Sequence, residues 1–66
     1  MNHNLTPKEI AILKSAADGL SYVQIANRCG VCRNTIKNHC SRIREKLGAD
    51  NTTHAVAIAL RRGIIE

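Results

Sequence analysis

Residues 20–39, which read LSYVQIANRCGVCRNTIKNH, are the stretch of the chain that decides its fold. The pair Ser21 and Gln24 matches a capping box, in which each side chain accepts a hydrogen bond from the other residue's backbone amide, and it predicts a helix start. Gly30 predicts the end of this short helix, because a left-handed helix terminus favours glycine. A second helix is expected from about Arg33. Two helices joined by so tight a turn form a helix-turn-helix.

The sequence on either side of this motif predicts two more helices. Thr6, Pro7 and Glu9 form a helix start, with Thr6 as the cap and Pro7 at the first helical position. Gly48 and Gly63 each follow an apolar periodic stretch and predict helix ends. We therefore expect an all-α fold, a four-helix helix-turn-helix bundle forming one domain over residues 1–66, with helices at about 7–18, 22–29, 33–47 and 52–62.

Apolar residues recur at helical spacing and predict the buried face of each helix. On helix 3 the buried residues are Ile36, Cys40, Ile43 and Leu47. On helix 1 the inward residues are expected to be Ile12, Leu13, Ala16 and Ala17, while Lys14, Ser15 and Asp18 face water. On helix 4 the inward residues are expected to be Ala55, Val56, Ala59 and Leu60.

Composition excludes several classes of protein. The 66 residues include ten Lys and Arg against five Asp and Glu, a formal net charge of +5 that suits a polyanionic partner. No apolar run approaches ~18 residues, so we expect no membrane span. No secretory signal is visible, which favours the cytoplasm and reduced thiols. Because no catalytic set or glycine-rich phosphate loop is present, we expect neither an enzyme nor a cofactor or small-molecule ligand.

The outward face of helix 3 carries groups that suit double-stranded DNA. Asn38 can bond the N6 and N7 edge of adenine in the major groove, and Lys37 can reach guanine or a phosphate. Arg33 and Asn34 lie at the helix N-terminus, where free amides favour a phosphate. Further backbone contacts are expected from Arg42, Arg44 and Lys46. The alternative is an ordinary solvated polar face.

The outward face of helix 4 is expected to hold a dimer contact. An apolar Ile58 beside a small Ala57 on a wet face indicates that another helix packs there, flanked by His54 and Arg61. A symmetric homodimer would place two recognition helices about one DNA turn apart and require a palindromic site. The alternative is a single exposed Ile, which is common on protein surfaces.

The three cysteines allow two interpretations. Cys29 and Cys32, with His39 and Cys40 near them in sequence, resemble metal ligands, but buried small hydrophobic residues explain Cys29 and Cys40 better. We therefore expect no metal. Cys32 differs because its thiol lies at a helix N-terminus and could act as a reactive switch. His3 is expected on a mobile terminus.

In order along the chain, LTPKEIAIL, GLS, QIA, TIKNH, REKLGA and AVAIALRRGII resemble the LuxR/GerE-type DNA-binding domains of bacterial transcription regulators. The resemblance runs from Leu5 to Ile65. It implies a four-helix bundle in which the third helix enters the major groove and the fourth forms the dimer. Carried over by position, it implies DNA contacts for Ser21, Thr35, Lys37, Asn38, His39 and Ser41, with His39 at the edge of the groove near a phosphate.

Several residues depart from the family pattern. Tyr22-Val23-Gln24 stands where Asn-Lys-Glu is usual, Cys32 replaces a Ser, Thr52 replaces a common Arg, and Ile10-Ala11 replaces a charged pair. The apolar Ile10, Val23 and Ile58 favour an alternative function, an interaction module that pairs through helix 4 with a larger LuxR-type regulator. A sigma-factor region 4 fragment shares part of the pattern, but the expected fourth helix argues against it.

Overall fold

Four helices make up the computed structural model, which describes residues 4–66. They are α1 (Pro7–Ala17), α2 (Tyr22–Cys29), α3 (Arg33–Leu47) and α4 (Thr52–Arg61). The predicted all-α, four-helix fold is confirmed, although α1 and α4 each end one residue earlier than expected. The prediction for His3 lies outside the described residues. No helix within residues 4–66 is long and apolar enough to cross a membrane.

Local capping explains where the first two helices begin. The Thr6 hydroxyl accepts a hydrogen bond from the Glu9 amide at 3.1 Å, and the Glu9 carboxylate accepts one from the Thr6 amide at 2.9 Å. Ser21 and Gln24 make the same reciprocal pair at 3.2 and 2.8 Å. Both predicted capping boxes are therefore present, and each satisfies two amides that a helix end leaves free.

The turn between α2 and α3 depends on Gly30, which adopts a left-handed conformation with φ of 71°. A residue with a side chain would be strained at this φ, whereas glycine adopts it without strain. The Val31 amide then donates to the Ala26 carbonyl oxygen at 3.0 Å. This hydrogen bond completes the glycine terminus of α2 that leads into α3.

The core is aliphatic and centres on α3. The predicted α3 stripe of Ile36, Cys40, Ile43 and Leu47 is confirmed as buried. The largest fully buried side chains are Ile12, Leu13, Ile25, Ile36 and Ile43. Because α3 contacts each of the other three helices, its opposite face is the part left for an external partner.

The inward face of α1 differs from the prediction at two positions. Ser15, expected to face water, is buried, and Ala17, expected to face inward, is exposed. Ala17 lies about 90° around the helix from the centre of the buried face. Ser15 is covered because the chain turns back over it, and the Leu20 amide donates to the Ser15 carbonyl oxygen at 3.2 Å.

The inward face of α4 also needs a correction. Leu60, expected to be inside, is 47% exposed, whereas Ile58, expected to be outside, is partly buried and packs against the core. The fully buried Ala55 and Ala59 set the rotation of the helix. Leu60 lies about 120° from the centre of that buried face, so it points outward.

Candidate nucleic-acid interface

The outer face of α3 is a continuous polar surface. Most of the predicted contact residues on this helix are exposed to solvent: Arg33, Asn34, Lys37, Asn38, Ser41 and Arg42. Thr35 and His39 are partly buried and form one edge of the face. The structure therefore places these eight residues on the part of α3 that lies outside the buried stripe, with Arg33 and His39 at its two borders.

Positive charge is concentrated on the helix-turn-helix. Residues 21–47 hold six of the ten basic residues and one of the five acidic residues, a formal net charge of +5. The rest of the chain balances four basic residues against four acidic ones. The electrostatic attraction for a polyanion therefore comes from the segment that carries the exposed α3 face.

The first turn of α3 has no side-chain cap. Cys32 occupies the capping position but makes no capping hydrogen bond. Its sulfur lies 3.2 Å from the Thr35 hydroxyl oxygen, and Cys32 is exposed. The hydrogen bond with the Thr35 hydroxyl is the largest of the effects that lower the pKa of the Cys32 thiol. The Thr35 amide donates to the Cys32 carbonyl oxygen at 3.1 Å, and the amides before it at an uncapped helix start suit an anion such as a phosphate.

Two of the predicted contact groups have partners within the chain. The Ser41 hydroxyl accepts a hydrogen bond from the Arg44 guanidinium at 2.9 Å. This bond holds the guanidinium of Arg44 along the side of the helix. The Ser21 hydroxyl caps α2 by accepting from the Gln24 amide, and the Ser21 amide donates to the Gln24 side chain.

Lys46 has a role that the sequence did not reveal. Its Nζ lies 2.8 Å from the Glu9 Oε1, forming an ion pair in which the Glu9 side chain is 4% exposed and the Lys46 side chain 31% exposed. Burial alone would raise the pKa of Glu9, but hydrogen bonds from Lys46 and the Thr6 amide, with the Lys46 charge, lower it. Lys46, expected at a phosphate, thus binds a carboxylate of α1 in this structure.

A polar cluster joins α2, α3 and α4 behind the exposed face. The Tyr22 hydroxyl and the Thr52 hydroxyl lie 3.0 Å apart. Burial raises the pKa of the neighbouring Cys40 thiol, and its contacts with the Thr52 and Tyr22 hydroxyls oppose that rise only in part. Two departures from the family pattern, Tyr22 and Thr52, are thus direct partners in the fold. Each departure can be seen in the sequence, but the contact between Tyr22 and Thr52 cannot.

The predicted dimer residues on α4 differ in exposure. Arg61 is exposed, Ala57 is partly exposed at the centre of the outward face, and Ile58 packs against the core. The His54 Nδ1 accepts a hydrogen bond from the Asp50 amide at 3.1 Å, which ties His54 to its own loop. The exposed Leu60 is the large apolar residue of this surface, and the sequence analysis had placed it inside.

The cysteines are free thiols: Cys40 is buried, Cys29 partly buried and Cys32 exposed. Within residues 4–66 no three His, Cys, Asp or Glu side chains are grouped closely enough to hold a metal ion. The pattern of Cys29, Cys32, His39 and Cys40 is therefore not gathered into a ligand set by this fold.

These features define a class of protein, the four-helix domain with a helix-turn-helix. In this chain the second helix of that motif, α3, is basic and polar. A model of the family described as "Bacterial regulatory proteins, luxR family" (GerE) matches residues 3–59. The chain belongs to this family. It carries the helix-turn-helix domain of a LuxR/GerE-type transcriptional regulator, a family of regulators rather than enzymes.

Two relatives in this family are longer proteins. The chain is 44% identical over 61 residues to the transcriptional regulatory protein YdfI of Bacillus subtilis (strain 168), covering 92% of this chain and 29% of that protein. It is 39% identical over 61 residues to the transcriptional activator protein BjaR1 of Bradyrhizobium diazoefficiens, covering 92% of this chain and 25% of the relative. The chain thus spans less than a third of either protein.

Solved structures have the same fold. The transcription factor GerE aligns with a TM-score of 0.91 at 26% identity, covering 100% of this chain and 97% of that one. The response regulator ChrA of a heme-sensing two-component system aligns with a TM-score of 0.91 at 35% identity, covering 98% of this chain and 32% of that one.

Proposed function

We propose that this chain binds double-stranded DNA in a sequence-specific manner, with α3 in the major groove, and thereby regulates transcription. The observation that carries the proposal is the exposed polar face of α3 on the segment that holds the whole net charge. An α-helix fits the width of the major groove, and each base pair there presents a distinct pattern of donors and acceptors. Family membership supports the same function.

Different residues on α3 have different tasks in this proposal. Asn38 lies at the centre of the exposed face and reads a base edge, while Lys37 reaches guanine or a phosphate. Arg33 and Asn34 bind a phosphate at the uncapped N-terminus of α3. Arg42 binds the DNA backbone. Thr35, Ser41 and Ser21 add contacts that fix the orientation of the helix.

Lys46 is left out of this set of contacts. Its ammonium is already bound to the buried Glu9 carboxylate, and moving it to a phosphate would leave that carboxylate without its charged partner. We assign Lys46 to holding α3 against α1.

Single substitutions on α3 test the function. Lys37→Ala and Asn38→Ala are each expected to weaken specific binding by about 1–3 kcal/mol. Lys14→Ala is the matched control, because it removes the same charge as Lys37→Ala from the exposed surface of α1. Only Lys37→Ala is expected to lower the salt dependence of binding as well. Unchanged affinity in both α3 variants would contradict this docking of α3.

We propose further that two copies pair through the outward face of α4. The supporting observation is the apolar Leu60, 47% exposed one helical turn from Ala57 and next to Arg61. Leu60, Ala57 and Arg61 form the centre of this surface. Ile58 lies at its edge toward the core, and His54 lies at its edge toward the loop that holds Asp50. A two-fold axis beside α4 would present two recognition helices to a palindromic DNA site.

The oligomeric state tests the α4 surface. Leu60→Asp is expected to convert the dimer to a monomer in sedimentation experiments, because it puts a charge into an apolar contact. Val23→Asp is the control, since Val23 is similarly exposed, at 52%, but lies on α2. Equal sedimentation of wild-type protein and Leu60→Asp as dimers would place the interface elsewhere.

The same surface suits a second candidate partner, a larger LuxR-type regulator. The relatives that this domain matches are about three to four times its length, and a shared α4 surface would allow a mixed dimer. Co-purification with such a regulator, lost in Leu60→Asp, would support this alternative. Under either proposal the protein acts with DNA in the bacterial cytoplasm, and neither proposal needs a cofactor.

A further inference from the structure

Glu45 is the one acidic residue of the helix-turn-helix segment, residues 21–47. It is exposed on α3 and follows Asn38 by seven residues, almost two full turns. At about 100° per residue, the two side chains lie within about 20° of each other around the helix axis. Glu45 therefore lies at the centre of the α3 face that is proposed to enter the groove, and none of the contacts proposed above uses it.

The positive charges next to Glu45 in sequence are bound elsewhere. The Arg44 guanidinium donates to the Ser41 hydroxyl at 2.9 Å, and the Lys46 ammonium binds the Glu9 carboxylate at 2.8 Å. No basic side chain within residues 4–66 comes within 4.0 Å of the Glu45 carboxylate. That carboxylate is therefore open to a group outside the chain.

This position is unfavourable for an acid in two ways. Glu45 lies in the last turn of α3, where the negative end of the helix dipole opposes a carboxylate. On DNA, the phosphates on either side of the groove repel it as well. A hydrogen-bond donor on the groove floor would offset both effects, so the bases are the groups to consider.

The floor of the major groove presents hydrogen-bond donors from two of the four bases. Cytosine presents its N4 amino group and adenine its N6 amino group, whereas guanine and thymine present the acceptors O6 and O4. A carboxylate only accepts hydrogen bonds. Adenine also presents the acceptor N7 beside N6, and this second acceptor repels a carboxylate. Cytosine is therefore the base that suits Glu45.

We propose that Glu45 is a specificity-determining residue that reads a cytosine by accepting a hydrogen bond from its N4 amino group. This inference rests on the proposed docking of α3 in the major groove. At 1.5 Å per residue, Glu45 lies about 10 Å along α3 from Asn38. Since base pairs are about 3.4 Å apart, a helix that follows the groove places this cytosine about three base pairs from the base that Asn38 reads.

Duplexes in which each base pair of the selected site is changed in turn test this assignment. Wild-type protein is expected to bind the cytosine site about tenfold more tightly than a site with another base at that position. Glu45→Gln is expected to prefer adenine there, because an amide can bond N6 and N7 together. Glu45→Ala should have no preference at that position, and Asn38→Ala should keep the preference for cytosine.

Asp18→Asn is the matched control. It also replaces an exposed acid at a helix C-terminus by its amide, in this case at the end of α1. Because each substitution relieves repulsion from a helix dipole, both variants are expected to unfold at urea concentrations no lower than that of wild-type protein. Only Glu45→Gln is expected to change the base preference, so the change cannot come from a loss of folding.

The other outcomes separate this inference from the function on which it rests. If Glu45→Gln gains affinity equally for every sequence, the carboxylate only repels phosphates and the inference is overturned. Unchanged affinity and unchanged preference would overturn it as well. If wild-type protein selects a site that Asn38→Ala alters and Glu45→Gln does not, this inference alone fails. If wild-type protein selects no sequence, both fail.

Discussion

The Nζ of Lys46 near the end of α3 binds the carboxylate of Glu9 at the start of α1 across 2.8 Å. The same carboxylate accepts a hydrogen bond from the Thr6 amide in the α1 capping box. One buried carboxylate therefore completes the start of α1 and binds the end of α3, 37 residues further along the chain. Both this contact and the turn at Gly30 therefore constrain where α3 lies.

Lys46→Met is expected to destabilise the fold and spare the DNA contact. It removes a charged hydrogen bond to a buried carboxylate, which lowers the free energy of unfolding by about 1–3 kcal/mol. Urea unfolding measures this loss, with Lys14→Met as the control for a lost surface charge. The salt dependence of DNA binding is expected to stay at the wild-type value. A decrease of about one in that slope would instead assign Lys46 to a phosphate.

Stability is expected to fall in acid because of Glu9. Its pKa in the folded protein lies below the ordinary value of 4.5, so the unfolded chain takes up a proton first as the pH falls. The Glu9 contribution to stability is therefore fully present above 4.5 and is lost as the pH falls through the lower, folded pKa. Urea unfolding across this range should show a smaller acid loss in Glu9→Gln than in wild-type protein. Equal losses would mean that other carboxylates set the acid response.

Cys32 is expected to react with iodoacetamide well before Cys40. Cys32 is exposed, and the Thr35 hydrogen bonds lower the pKa of its thiol, whereas burial raises the pKa of Cys40 and hides its sulfur. Because the thiolate is the nucleophile, Thr35→Val should slow alkylation of Cys32 at neutral pH. Mass spectrometry of timed samples identifies the modified residue. An unchanged Cys32 rate in Thr35→Val would show that the hydroxyl does not control this thiol.

The hydrogen bond between Tyr22 and Thr52 is expected to couple α2 to α4. Tyr22→Phe and Thr52→Val should each lower the free energy of unfolding by about 1 kcal/mol. The double variant should lose less than the sum of the two, because the second substitution has no hydrogen bond left to remove. Urea unfolding of the four proteins gives the coupling. Strict additivity would mean that the two hydroxyls contribute to stability independently.

The sequence predicted the parts of this fold that local chemistry controls. Thr6 with Glu9 and Ser21 with Gln24 are three residues apart, so their capping pairs can be recognised from spacing alone. The α3 stripe also follows from spacing, because one helix face packs against all of its neighbours. The four-helix order and the exposed polar face of α3 could be predicted for the same reasons.

Other features depend on how the helices meet, which local spacing does not define. The Glu9–Lys46 and Tyr22–Thr52 contacts join residues 37 and 30 positions apart. Residues 55–60 alternate Ala with a larger apolar residue, so a small rotation of α4 exchanges Leu60 for Ile58 on the outward face. The buried Nδ1 of His39 likewise follows from tertiary packing and has no signature in sequence.

The central claim, that α3 reads a DNA sequence, is tested most directly by selection of bound fragments from genomic DNA with the purified 66-residue protein at two salt concentrations. A reader of the proposed kind should enrich a short palindromic site at both concentrations, with Asn38→Ala losing that preference. Weak binding that falls steeply with salt and favours no sequence would show that phosphate contacts alone act. That result would contradict the account and make the pairing with a larger regulator the function to pursue.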